Sequence, residues 1–468
     1  MSDTNHELSP AQFASLLRAT TLDTRLSLGQ VLSVEWITEV VAREVGKKVL
    51  GRIYTPLVTL AVLLGQVFSD DHSCRLAVAR LLAWRASRGL PDSSPDTGAF
   101  CKARQRIPDS LLPRLTCEAG ERVEARAAKD WLFHDRRVVI ADGTTATMPD
   151  TAENQGAFPR HSNQKRGCGF PIARMVVLLS LATGCVLEAA IGASKGKLTG
   201  EHALLRKMHK RLRPGDILLG DAYYSSFDEV ALLLNDGVDV VMRQAGNRHT
   251  DFRAGTKLGR DDHLVEWQRH RNRPAWMDLL SFRRLPRTLP MRELRVRVDR
   301  PGFRTRQFVV VTSLLGAESY PREELAGLYR ARWHAELDIR SIKQTMKMDV
   351  LRCKAPEMVR KEIWAHLLVY NMIRAVMAEA ARRHGLAPRQ ISLQGARQTL
   401  EAFRCPFGPS GRKAAARRGE TILRAIAYHE VGDRPDRVEP RVVKRRPKAF
   451  PRMQIPRRLA RRRLMRAS

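Results

Sequence analysis

Two short runs of branched aliphatic residues constrain this chain more than any other feature. Val138-Val139-Ile140 and Ile217-Leu218-Leu219 are too short for helices, and each runs into an acid set in a turn-forming context, Ala141-Asp142-Gly143 and Gly220-Asp221-Ala222. Apolar runs of that length, closed by turn residues, read as short buried strands running into turns. Hairpin strands at Ile172 to Leu181 and Cys185 to Ile191 flank Thr183-Gly184. A helix from Gly200 to Arg213, a helix from Ser226 to Leu234 and a strand from Val238 to Met242 complete the series. That order predicts a mixed α/β domain.

What precedes it reads differently. Ser9-Pro10 is a cap followed by a first-turn proline, and helical apolar periods occupy Val31 to Val45, Thr55 to Phe68 and Cys74 to Trp84. Two short helices, Gly98 to Arg106 and one restarting at Ser110, suit either a helix-turn-helix reader of duplex DNA or a plain bundle with basic outer faces. After the α/β series, Asn247 to Arg304 is less regular. Its alternating stretch Glu293-Leu294-Arg295-Val296-Arg297-Val298 predicts antiparallel strands inserted into the domain. The core pattern resumes with a strand at Gln307 to Thr312, a long helix from Pro321 to about Met348, and a buried helix from Glu357 to Arg383. The expected divisions are 1–130 helical, 131–246 first part of the core, 247–305 β-rich insertion, 306–400 second part of the core, and 401–468 basic tail.

Charge narrows the partners. With 82 Lys+Arg against 49 Asp+Glu, the 468-residue chain carries a formal +33 and a pI near 10.8. Such a balance argues for polyanions, nucleic acid first. Between Arg441 and Ser468 there are twelve Lys/Arg and no acid. With Pro447, Pro451 and Pro456 in the way, that tail reads as a disordered basic arm. A hydrophobic share of 43% excludes wholesale disorder. Seven scattered cysteines without C-x-x-C pairing argue against a zinc finger and a disulfide scaffold. The N-terminus lacks an apolar signal region, and the longest apolar run, Pro56 to Phe68, is too short for a bilayer. A cytoplasmic, nucleoid-associated protein with no membrane partner is expected.

The chemistry is carried by acids. Asp142 and Asp221 are placed at strand ends, where α/β sheets assemble their sites, and Glu336 lies on the long helix. Three converging carboxylates repel unless a cation neutralises them, and oxygen donors suit Mg²⁺. Two such ions about 4 Å apart would serve an in-line phosphoryl displacement. On the helix, Tyr329, Arg332, Glu336 and Lys343 fall within roughly 60° of one another at about 100° per residue. That puts a carboxylate between phosphate-binding cations; the same face is equally an exposed helix side with Arg332–Glu336 and Glu336–Arg340 pairs. His334 and Asp338 lie roughly 160° away and are left out of the site.

The pattern Y-x2-R-x3-E-x6-K formed by those four residues resembles the signature of the IS4 family of insertion-sequence transposases. Asp142-Gly143-Thr144-Thr145, Met148-Pro149-Asp150-Thr151, Gly167-Cys168-Gly169-Phe170-Pro171 and the Gly215 to Asp221 stretch agree with it. The resemblance spans about residues 95 to 400. It implies a mixed sheet of the RNase H-like kind with a β-rich insertion, preceded by an all-helical N-terminal domain. It implies Asp142, Asp221 and Glu336 as a catalytic, metal-binding DDE triad, using two Mg²⁺ or alternatively Mn²⁺, with Tyr329, Arg332 and Lys343 on DNA. It further implies cut-and-paste transposition on double-stranded DNA, both element ends and target, by a homodimer. Similar transposases pass through a hairpin and hold a flipped base with an aromatic; Trp267 and Trp276 are candidates for that role or ordinary core residues. Lys165 and Arg166 are either DNA contacts or a solvated pair. A DNA-binding protein that does not cut, and a nuclease without end specificity, remain the competing functions.

Overall fold

The computed structural model describes residues 8–21, 32–46, 53–161, 167–297, 307–404, 411–432 and 455–467. The chain forms two compact units, one of Met1–Asp135, Leu178–Glu188 and His334–Gly432, the other of Arg136–Val177, Ala189–Trp333 and Asp433–Ser468. Lys165 and Arg166 lie outside the described residues.

The first unit is helical. α1 (Pro10–Thr20) begins in a capping box, with Ser9 and Gln12 each accepting from the other's backbone N–H. α2 (Val34–Val45) and α3 (Pro56–Phe68) start at Ser33 and Thr55 caps, and α3 is buried from Val58 onward. A helix apolar on all sides has to be central, because no face of it gains from water. α4 (Cys74–Ala86), α5 (Gly98–Arg106) and α6 (Leu111–Glu124) follow. The helix expected from Glu357, α13, runs from Pro356 to His384. It ends where Gly385 turns left-handed, at φ 66°. α14 (Leu393–Ala402) and α15 (Arg412–Tyr428) complete the unit. Asn371 on α13 closes the packing: its amide accepts the Val186 N–H at 2.8 Å and donates to the carbonyls of Val186 at 2.8 Å and Thr116 at 2.9 Å. Such a buried amide is tolerated because its polar groups are matched.

The second unit is built on a sheet. β1 (Val138–Thr147), β2 (Ile172–Ser180), β3 (Val186–Ala193), β4 (Ile217–Gly220), β5 (Asp239–Arg243), β6 (Thr256–Gly259), β7 (Asp262–Gln268), β8 (Thr288–Arg297) and β9 (Gln307–Thr312) lie in the order β3-β2-β1-β4-β5-β9-β8-β7-β6. β1, β4 and β5 are parallel, while β9 is antiparallel to both β5 and β8. This is the expected mixed α/β sheet, preceded by helices. The insertion is not a separate sheet: β9 pairs on both edges, so β6, β7 and β8 extend the core sheet outward. Val139, Ile140, Ile217, Leu218, Leu219, Val240 and Val241 are all fully buried, which is why their runs carry no polar alternation.

Several expectations change. β1 continues through Asp142 to Thr147 instead of ending at the acid. A short helix, α7 (Ala152–Ala157), follows it. The helix expected from Gly200 is α8 (Glu201–Arg206) followed by a 3₁₀ turn at His209–Arg211. α9 (Phe227–Asn235) fits its expected place, capped by Ser226, and α10 (Leu279–Arg284) sits between β7 and β8. The long helix from Pro321 is α11 (Arg322–Ala331), then α12 (Trp333–Arg340), then a π-helical turn at Ser341–Thr345. The tail is not wholly irregular, since Arg457–Ala467 is a helix, labelled α16. Pro456 stands just before its first residue, where a proline costs a helix nothing. Among the described residues no helix is long and apolar enough to cross a membrane, and the six described cysteines are free thiols.

Candidate active site

β1 and β4 pair in parallel with Val138 opposite Ile217, Val139 opposite Leu218 and Ile140 opposite Leu219. The pairing ends there: Asp142 lies two residues further along β1, Asp221 is the first residue after β4, and both carboxylates act on the Tyr224 phenol. Each is oriented by a local backbone donor: Asp142 Oδ1 accepts the Gly143 N–H at 2.8 Å, and Asp221 Oδ1 accepts the Tyr223 N–H at 2.9 Å. The Asp221 carbonyl accepts from Tyr224 N–H at 3.2 Å, turning the chain tightly from β4 toward α9.

A third acid of this unit, Glu201, was not marked by the sequence. Its carboxylate occupies the space beside Gly143, where an added Cβ would come within 2.5 Å of it. Glu201 Oε2 also accepts the Tyr224 hydroxyl at 3.4 Å. Burial first, then the Glu201, Asp221 and Asp142 carboxylates, push the Tyr224 phenol far above its ordinary value, so it stays protonated. Glu201 is the first residue of its helix, where an acid is common for dipole reasons alone, so nothing in the sequence singled it out.

Behind this group, Glu229 on α9 is fully buried. It pairs with Arg206 at 2.9 Å, His209 at 2.8 Å and His202 at 3.5 Å. Burial would raise its carboxyl, but hydrogen bonds from the two histidines and the Arg206 charge outweigh that and hold it down at about 2. The His202 ring also lies 4.4 Å from that of Tyr223.

Tyr329 and Arg332 belong to the same unit. Tyr329 is buried, its ring 5.2 Å from Phe308 and the Arg332 guanidinium 6.0 Å from its centroid. Burial raises its phenol, Arg332 and Arg243 oppose the rise, and Asp221 adds to it. Glu336, half-buried on α12, and Lys343, in the π turn, belong to the helical unit. The uniform helical wheel behind the four-residue face does not hold. Arg332 N–H bonds Tyr329 at 3.1 Å, three residues back, and Met346 N–H bonds Ser341 at 3.0 Å, five back. Asp338 is buried and is held by Arg374 and Arg389. Arg389 also donates to the carbonyls of Ser180 at 2.7 Å and Leu181 at 2.9 Å, tying α12 to the β2–β3 turn.

Of the two tryptophans, Trp267 is a core residue, its Nε1 donating to Glu293 at 2.9 Å with Arg248 stacked 3.8 Å from the ring. Trp276 is half-buried, under Arg206 at 3.7 Å. Among the described residues, no group of three or more His, Cys, Asp or Glu is arranged to hold a metal ion. Asp142 and Asp221 nevertheless offer oxygen donors only, the chemistry that suits a hard divalent cation.

The chain belongs to the transposase DDE domain family, whose model matches residues 133–372. It is a DDE transposase. It is similar to the transposase InsG of insertion sequence element IS4 from Escherichia coli (strain K12), at 28% identity over 446 residues, covering 91% of this chain and 93% of that one. The resemblance to the IS4 family read from the sequence therefore holds. The putative transposase InsL of element IS186A from the same organism is 35% identical over 65 residues, 14% of this chain and 18% of its own. A solved chain from the cryo-EM structure of the piggyBac transposase synaptic complex with hairpin DNA covers 90% of this chain and 87% of its own. At 11% identity and a TM-score of 0.42 that likeness is too low to carry an inference.

Proposed function

We propose that this transposase binds the inverted ends of its own insertion sequence as a homodimer and moves it by cut-and-paste. Asp142, Asp221 and Glu336 form the triad, and Tyr329, Arg332 and Lys343 grip phosphates near the cleavage point. The observation that supports the reading is that Asp142 on β1 and Asp221 directly after the parallel strand β4 both act on the Tyr224 phenol. Divalent ions held by the three acids, Mg²⁺ in the first instance, would supply an activated water and charge neutralisation at the leaving oxygen. Water attacks phosphorus at each element end, the P–O3′ bond breaks, and a 3′-OH is freed. That hydroxyl then attacks the opposite strand and later target DNA, so one site serves nucleophiles that differ only in their oxygen. Asp142 and Asp221 are fixed by backbone donors, so they reach the reaction pre-oriented. Glu336 is supported by the buried Asp338 anchor two residues away.

Strand-resolved cleavage of DNA carrying the element's ends tests this, with Mg²⁺, with EDTA, and with Glu336→Gln. Metal-dependent cuts at the repeat termini that vanish in the variant are expected. Binding without cutting, when two ends can pair, would instead identify a DNA-binding protein without catalysis.

A further inference from the structure

The helix near the end of the chain, α16, has no part in the reaction above. It carries six arginines and no acid in eleven residues. Its first residue is seated on its own unit. A Cβ on Gly167, at φ +79°, would lie 2.9 Å from the Pro456 side chain. Arg457 pairs with Asp150 and stacks 3.9 Å from the centroid of Phe170. Asp150 and Phe170 bound the loop that follows β1, the strand of Asp142.

Past that anchor the charges face solvent. Arg458, Arg461, Arg462, Arg463 and Arg466 are exposed, and among the described residues none of the five is ion-paired. Arg458, Arg462 and Arg466 recur every four residues and so share one side of the helix. Five uncompensated guanidiniums along about 16 Å of helix repel one another unless a polyanion lies against them. Duplex DNA offers one phosphate per about 1.7 Å of axis, enough to engage all of them. An anionic membrane is the poorer fit, since Arg463 falls among Leu459, Ala460 and Leu464 on the otherwise apolar side.

We propose that α16 is a phosphate-binding strap for duplex DNA, seated through Arg457 and Pro456 on the loop after β1. It rests on the proposed function only in taking DNA as the substrate. The test uses the full chain and a variant with Arg458, Arg461, Arg462 and Arg466 all changed to Gln. Binding to a duplex is followed by fluorescence anisotropy between about 50 and 200 mM salt, with cutting assayed on the same preparations.

The slope of log affinity against log salt should flatten by about 0.9 for each phosphate no longer neutralised, about 3 to 4 in all, with affinity down more than about tenfold at low salt. Arg457→Ala, which keeps the other charges and loosens the seat, should lose part of that affinity. An unchanged slope in a variant whose circular dichroism and melting match the parent overturns the strap. So does a variant that loses binding only to phosphatidylglycerol vesicles. If the parent cuts and the slope is unchanged, the strap alone falls. If the slope flattens while the parent never cuts, the strap stands and the cut-and-paste reading falls.

Discussion

Gly143 and Glu201 are fitted to each other: a Cβ on the glycine would lie 2.5 Å from the glutamate carboxylate. The position next to Asp142 is thus kept free of a side chain by an acid from a different element, and that acid is the acceptor for the Tyr224 hydroxyl. The Asp-Gly pair that reads in sequence as a turn works here as a close approach within a strand that continues to Thr147.

Gly143→Ala should therefore overpack the site. The expected cost is about 1–3 kcal/mol, read as a lower urea midpoint. Glu201→Ala in the same chain should recover most of it, because the two changes act on one close approach and are not additive. An alanine at 143 that costs nothing, alone or with Glu201 intact, would show that Glu201 moves aside freely.

Asp338 and Glu336 stand two residues apart on α12 and should behave in opposite ways. Asp338→Ala strands Arg374 and Arg389 in a buried site, which should cost about 3–5 kcal/mol. Glu336→Gln, at a half-buried position, should change stability by less than about 1 kcal/mol while removing cleavage. Denaturation curves of the two variants, set beside their cutting assays, separate an anchor from a reacting group. Equal destabilisation in both would place Glu336 in the anchor.

Much of this was legible because buried parallel strands cannot hide: Val138–Ile140 and Ile217–Leu219 have no polar alternation to obscure them, and both acids follow directly. The strand ends were not legible, since β1 continues past Asp142 to Thr147, and strand pairing is a tertiary fact. Nor was the role of Glu201, at an ordinary place for a helical acid. The helix wheel through Tyr329 and Lys343 failed because it assumes one turn angle, whereas the backbone tightens at Arg332 and widens after Ser341. The tail prolines read as breakers, yet Pro456 precedes a helix.

Glu229 links stability to pH. Its folded carboxyl is held at about 2 against an ordinary 4.5. Below 4.5 the unfolded chain takes up a proton that the folded chain refuses, so stability falls as pH drops from about 5 toward 2. The groups facing it are Arg206, His202 and His209, with Asp228 beside it in sequence. The loss over that range should be about 3 kcal/mol, and Glu229→Gln should flatten that part of the curve. Melting temperatures from pH 5 to about 2.5 decide it; parallel curves for parent and variant would refute the link.

The Asp142 and Asp221 carboxylates, one on β1 and one directly after β4, leave a thermodynamic signature separate from catalysis. Two like charges at about 5 Å repel by about 1 kcal/mol in water in the absence of a cation. Neutralising one of them, as in Asp221→Asn, should therefore raise the melting temperature of the protein in EDTA. A cation that binds the folded state alone stabilises it by about 2.7 kcal/mol at a hundredfold excess over its Kd. Mg²⁺ should thus raise the melting temperature of the parent and leave that of Asp221→Asn nearly unchanged, reversing their order. The comparison needs no DNA and no turnover. If Mg²⁺ shifts parent and variant equally, the ion binds elsewhere, and the pairing of Asp142 with Asp221 is structural.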